Sequence, residues 1–245
     1  MSLPELLAWR VEALRLTVFF SEPVNAQNRN WGKSFTGGDP ESIVSKPQTG
    51  EYTEQGSFHD GQFELKVAFN RVDWSVSFPF SELPNAPKPA EISKMLDDWL
   101  VGVSGWLAVL EMKPIRLALG LVAHAPVENV VEANEVISSY FPFVSLAADS
   151  NYIDASVQVN SPYPSTVLKG LDVNRVVKFE VATRQIVTIG PAGMPTSQTD
   201  TVLRSHLDLN TSPLWKSVFE VESCGPIIHE MKPHVVTLLS KGFAL

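Results

Sequence analysis

This sequence predicts an α+β fold, with a largely antiparallel sheet and helices packed on one face. Apolar residues alternate with polar ones along most of the strand-like segments, as they do when only one face of a strand is buried. Other segments repeat their apolar residues at the 3.6-residue period of an amphipathic helix. The elements read β-ββ-α-β-α-β-β-β-α-α along the chain, an order that suits a sheet covered on one side. With 245 residues, 44% of them hydrophobic, such a chain buries roughly 70–75% of its unfolded surface. That suits one domain over residues 1–245, with two related halves, 1–125 and 126–245, as the alternative division.

Leu14, Leu16, Val18 and Phe20 alternate with Arg15 and Thr17 and define the first strand. From Ser21 to about Gly61 the alternation stops, and Gly37-Gly38-Asp39-Pro40 marks a turn. This segment reads as a polar loop, a functional lid or a stretch hiding short strands. Phe63, Leu65, Val67 and Phe69, then Val72, Trp74, Val76 and Phe78, form a hairpin joined at Asn70-Arg71, with all of these side chains on one face.

Pro84, Pro87 and Pro89 mark a linker, and a helix runs from about Ala90 to Glu111. Its Gly102 and Gly105 weaken it or let a neighbour pack closely. A strand over Ile115 to Ala123 and a helix over about Val127 to Tyr140 come next. Ile153, Ala155, Val157 and Val159 give another strand, and a longer one runs from Val177 to Ile189. Gly190 to Thr201 reads as a mobile loop. Leu203, Leu207 and Leu209 form the last strand, with Arg204, His206 and Asp208 on its other face. Thr211 or Ser212 then caps a helix with Pro213 at its first position, and Pro226 and Pro233 break or kink the C-terminal helical segments. Asn-Arg-Val occurs at Asn70 and again at Asn174, each time leading into a strand, either as a relic of duplication or by chance.

Composition weighs against several functions. The formal net charge is −8, with 19 basic residues scattered among 27 acidic ones, so nucleic acid has no electrostatic footing. A single cysteine, Cys224, cannot form an intramolecular disulfide. No run approaches about 18 uninterrupted apolar residues, so no membrane-spanning helix is expected. The first residues lack the pattern of a signal peptide. A cytoplasmic protein without membrane or nucleic-acid partners is the expectation.

The chemical motifs are thin. Gly32-Lys33-Ser34 looks like the end of a phosphate-binding P-loop, but Gln27 stands where that loop needs glycine. His229, Glu230 and His234 resemble a zinc helix, yet the histidines are five apart with Pro233 between them. Residues five apart point about 140° away from each other around a helix, so no metal site is expected. Cys224 reads as a small buried hydrophobe rather than a nucleophile. No Gly-x-Ser-x-Gly elbow supports a serine hydrolase. The catalytic candidates are His59, beside Asp60, and His206 with Asp208; two residues apart on one strand, the latter two share a face. The binding candidates are Arg29, Trp31 and Phe35, because aromatic and arginine side chains in a polar loop are favoured anchors; the alternative is that Trp31 and Phe35 pack the loop back onto its own domain.

Tyr152 to Asn160, Asn174-Arg175-Val176 and Leu207-Asp208-Leu209-Asn210-Thr211 carry a resemblance. From Tyr152 onward the chain resembles a sporadically distributed bacterial family of unknown function with a suspected link to genome defence. Pro226 and Pro233 depart from that family's pattern. The resemblance implies a sheet-plus-helix fold and a bacterial or phage setting, and it transfers no catalytic residue. The combined expectation is a non-enzymatic binding or assembly protein with no cofactor, acting with a protein partner or as a homo-oligomer. The alternative is a hydrolase or nucleotide-binding enzyme whose site is assembled from His59, His206 and Asp208.

Overall fold

Alternation around Leu14 becomes β1 (Arg10–Phe20), the middle strand of a sheet whose two flanks are built by similar routes. The structure, a computed structural model, describes residues 9–25, 31–78, 89–146, 152–189 and 195–243. After β1 come α1 (Trp31–Thr36), β2 (Ser42–Lys46), β3 (Glu51–Phe58), β4 (Gly61–Ala68), β5 (Arg71–Ser77) and α2 (Pro89–Ala108). The second half runs β6 (Pro114–Val127), α3 (Val130–Tyr140), β7 (Ser156–Asn160), β8 (Tyr163–Pro164), β9 (Asp172–Ile189), β10 (Pro195–Thr211) and α4 (Val221–Lys241). The sheet order is β2-β3-β4-β5-β1-β6-β10-β9-β7, with β8 also paired to β9. Every pairing is antiparallel.

Each half opens with a strand, crosses through a helix and meanders back until its last strand pairs with its first. Each then ends in a long helix, and the opening strands β1 and β6 pair with each other along the midline. The Asn-Arg-Val tripeptides do not mark this likeness. Asn70 precedes β5, whereas Asn174 lies inside β9, the counterpart of β4.

The core fills the helix face. Leu14, Leu16 and Val18 of β1, Leu117, Leu119 and Leu121 of β6, and Leu203, Leu207 and Leu209 of β10 are all buried there. Against them pack Leu96, Trp99, Val103 and Trp106 of α2 and Ile227, Ile228, Met231 and Val235 of α4. Trp9, just before β1, hydrogen-bonds Tyr140 at the end of α3 through its indole N–H (3.2 Å). Tyr140 donates in turn to the Leu239 carbonyl of α4 (2.7 Å) and stacks on Phe179 of β9 at 4.3 Å. Among the described residues no helix is long and apolar enough to cross a membrane.

Several expectations need correction. Ser21 to Gly61 is not one polar loop: α1, β2 and most of β3 lie within it. β3 joins the edge of β4 over Tyr52 to Phe58, so the ladder supplies its backbone hydrogen bonds. Phe35 of α1 stacks on Trp74 at 4.7 Å, and Trp31 packs edge-on against Trp106 at 5.6 Å. Burying each ring stabilises by roughly 1.5–3 kcal/mol, which offsets part of the cost of ordering α1.

The β4–β5 turn falls at Phe69-Asn70, not Asn70-Arg71, so Leu65 faces Trp74 and Val67 faces Val72. Phe69 is therefore 66% exposed, with φ 40°. The end of β1 fixes this register: Phe20 N–H donates to the Asn70 carbonyl (2.9 Å) and Val24 N–H to that of Phe69 (2.6 Å).

The C-terminal helix starts at Val221, well after Pro213, and continues through Pro226 and Pro233. Each proline lacks the N–H that would bond the carbonyl four residues earlier. Burial of Cys224, Ile227, Ile228, Met231 and Val235 against the sheet holds the helix together around those gaps. The region expected to be a mobile loop, Gly190 to Thr201, holds the start of β10 at Pro195, paired with Ile189; residues 190–194 lie outside the described ones.

Candidate functional site on the open face of the sheet

Helices cover one face of the sheet, and the polar phase of each strand lies on the other. Antiparallel register sorts these side chains into rows across the strands. One row runs Ser75, Arg15, Gly120, Asp208, Val176. The next runs Ala13, Val122, His206, Lys178, Gln158. Ala13 and Gly120 have almost no side chain, so the middle of these rows sinks into a groove of about 450 Å³. Arg15, Ser75, Gln158, Lys178, His206 and Asp208 supply its polar lining.

An ionic network flanks the groove on one side. A bulge between Val11 and Ala13 sets Glu12 off the regular ladder of β1. Its buried carboxylate accepts from Arg204 of β10 (Nε, 2.9 Å; a guanidinium nitrogen, 2.6 Å) and lies 3.1 Å from His124 Nδ1 of β6. Glu180 of β9 continues the chain. It lies 2.9 Å from His206 Nε2, pairs with Lys178 and lies 3.7 Å from Arg204. Burial pushes the Glu12 carboxyl up, but the His124 imidazole beside it and the bonds from Arg204 outweigh it and hold it below the usual range. Burial also raises Glu180, and Lys178 and His206 reverse that shift. On the other side of the groove lies an amide row. Asn210 accepts from Arg116 (2.8 Å) and Asn174 (3.1 Å) and donates to Asp208 (3.1 Å).

Among the expected catalytic residues, His206 and Asp208 do come together on the groove wall, on the face their alternation implies. His59 does not join them. It forms the β3–β4 turn with Asp60, and its Nε2 lies 3.6 Å from Asp98 of α2. Trp31 and Phe35, expected at a partner-facing surface, are 2% and 6% exposed and belong to the core. They are apolar enough to be drawn inward, and α2 has room for Phe35: a Cβ on Gly102 would lie 3.0 Å from its ring. Arg29 lies outside the described residues.

The P-loop-like glycine is occupied otherwise. Gly32 N–H donates to the buried Glu54 carboxylate (2.7 Å), which also accepts from Tyr52 OH (2.7 Å). His234 of the rejected zinc pair rests on the Tyr163 ring at 4.1 Å. Among the described residues no three His, Cys, Asp or Glu side chains are arranged to hold a metal ion.

Sequence reasoning missed Glu12, Arg15, His124, Lys178 and Glu180. Their signal was present as charged residues in the polar phase of apolar strands, plus Glu12 where the alternation of β1 slips. Neither a family model nor a curated protein matches this chain.

Proposed function

We propose that the chain is a non-enzymatic binding or assembly protein whose recognition surface is the open face of the sheet. One observation carries this reading: Glu12, Arg204, His124, Glu180, Lys178 and His206 are engaged with one another around the groove. Groups locked in mutual pairs give a wall of fixed shape and charge, which suits recognition. Thiol chemistry is disfavoured, since the buried Cys224 thiol is pushed up to about 12 by burial, then by Glu222 and Glu220. Strand β2 ends the sheet with Ile43 and Val44 57% and 51% exposed, and such an edge lets a protein partner or a second copy add a strand. A bacterial defence or mobile-element setting belongs to the same proposal and rests on the resemblance beyond Tyr152 alone.

The second reading is a hydrolase or nucleotide-binding enzyme. The Glu180–His206 contact favours it, because a carboxylate orients an imidazole for proton transfer. Incubation with a panel of small acids, amines, amphoteric compounds and nucleotides decides between them. Thermal shift reports binding, and mass spectrometry reports turnover. The binding reading expects compounds that raise the melting temperature, lose that effect in Arg15→Gln and are recovered unchanged. Consumption of a compound that stops in His206→Ala would establish the enzyme instead.

A further inference from the structure

The row through Arg15, Gly120 and Asp208 crosses the bottom of the groove. Arg15 and Asp208 stand on strands two apart, so their backbones are separated by roughly 9–10 Å. Arg15 leans across the gap, its Nε 3.8 Å from where a Cβ of Gly120 would lie. Among the described residues no ion pair joins the two, and Arg15 makes no hydrogen bond or ion pair with any other group. Among the described residues Asp208 accepts only the Asn210 amide (3.1 Å). The nearby cations Lys178 and Arg204 are held by Glu180 and Glu12. The groove thus presents one uncompensated cation and one uncompensated anion on opposite sides of a bare glycine.

That arrangement selects against ligands of a single charge. A simple carboxylate drawn to Arg15 meets Asp208, and a simple amine drawn to Asp208 meets Arg15. A molecule carrying both groups a few bonds apart satisfies both, with the strong paired geometry that a guanidinium offers a carboxylate. Ala13, Val122 and Val176 line the rest of the floor and walls and give an aliphatic portion a place to lie. The groove, at about 450 Å³, is of small-molecule size. Resting on the open-face reading above, we propose that this groove binds a small zwitterion of the α-amino-acid class, its carboxylate on Arg15 and its ammonium on Asp208, above Gly120.

The test is titration of the ¹⁵N-labelled chain with L-leucine, with 4-methylpentanoate, which lacks the amine, and with 3-methylbutylamine, which lacks the carboxylate. Leucine is expected to shift the Gly120 and Asp208 amides saturably, and each analogue to bind at least about tenfold more weakly. Arg15→Gln and Asp208→Asn should each weaken leucine by at least about tenfold. Equal binding of either analogue, or leucine binding indifferent to both charge substitutions, overturns the proposal. So does the absence of any shift with leucine. If other compounds of the panel still shift these amides, the ligand class fails and the open-face reading stands; if none does, both fail.

Discussion

Replacing Glu12 with Gln tests the ionic network most directly. The side chain keeps its volume and loses its charge, while His124 and Arg204 stay in place around it. Removing one partner of a buried ion pair costs about 3–5 kcal/mol. Two features place this site lower. Arg204 is 34% exposed, so water screens it, and Glu180 lies 3.7 Å away as a second carboxylate. The expected loss is about 2–3 kcal/mol at neutral pH, which for a chain of this length lowers the melting temperature by roughly 4–12 °C. The loss also has a pH signature. The folded Glu12 carboxyl is held below its ordinary value of 4.5, so its stabilisation is present above 4.5 and disappears as pH falls through the lower folded value. Urea unfolding of parent and variant from about pH 7 down to about pH 3 measures this. The gap between them should close on acidification, because the parent then loses what the variant never had. A gap that stays constant with pH, or a variant as stable as the parent near neutrality, would refute the network's role.

Other perturbations probe the fold. Val67→Asp buries an unpaired charge beside Val72 and Tyr52 and should destabilise by more than about 4 kcal/mol in denaturant melts; parent-like unfolding would contradict the β4–β5 register. Trp31→Ala removes a ring packed on Trp106 and should cost about 3–5 kcal/mol by the same measurement. A normal melting temperature would place Trp31 outside the core. The Cys224 thiol, fully buried and pushed up to about 12, should react with a disulfide reagent at about pH 8 far more slowly in the native protein than in denaturant. Elemental analysis of the purified chain should find no stoichiometric zinc, and about one zinc per chain would contradict the separation of His229 and His234 around α4.

How far the sequence could be read depended on how local each determinant is. Leu14, Leu16, Val18 and Phe20 announce β1 because burial of one strand face writes a period of two into neighbouring residues. The stripe from Ile92 to Leu107 announces α2 for the same reason at a period of 3.6. His206 and Asp208 could be assigned to one face because both lie on one strand. The segment after Ser21 was illegible because its order is borrowed: β3 becomes a strand by joining β4, and α1 is held by Glu54 and α2. The β4–β5 register escaped because Phe20 and Val24, far back along the chain, bond the turn. The groove was hidden more deeply. Arg15, Gly120 and Asp208 become neighbours only once two strand registers are known, and no spacing in a single segment encodes them.

The aromatic cluster at Tyr140 bears on how the molecule comes apart. Trp9 belongs to the first half by sequence, yet its ring is sealed against Tyr140 and Phe179 of the second. The last turn of α4 closes over the same place through the Leu239 carbonyl. Separating the halves along the β1–β6 midline would strip that ladder of hydrogen bonds and also pull a tryptophan out of a filled site. The two flanks, alike in topology, are therefore expected to lose structure together, in a single cooperative transition with one heat-absorption peak. A fragment from Pro114 onward would carry an empty tryptophan site and an unpaired central strand. It should behave as an aggregation-prone, loosely packed chain, not as a smaller version of the whole.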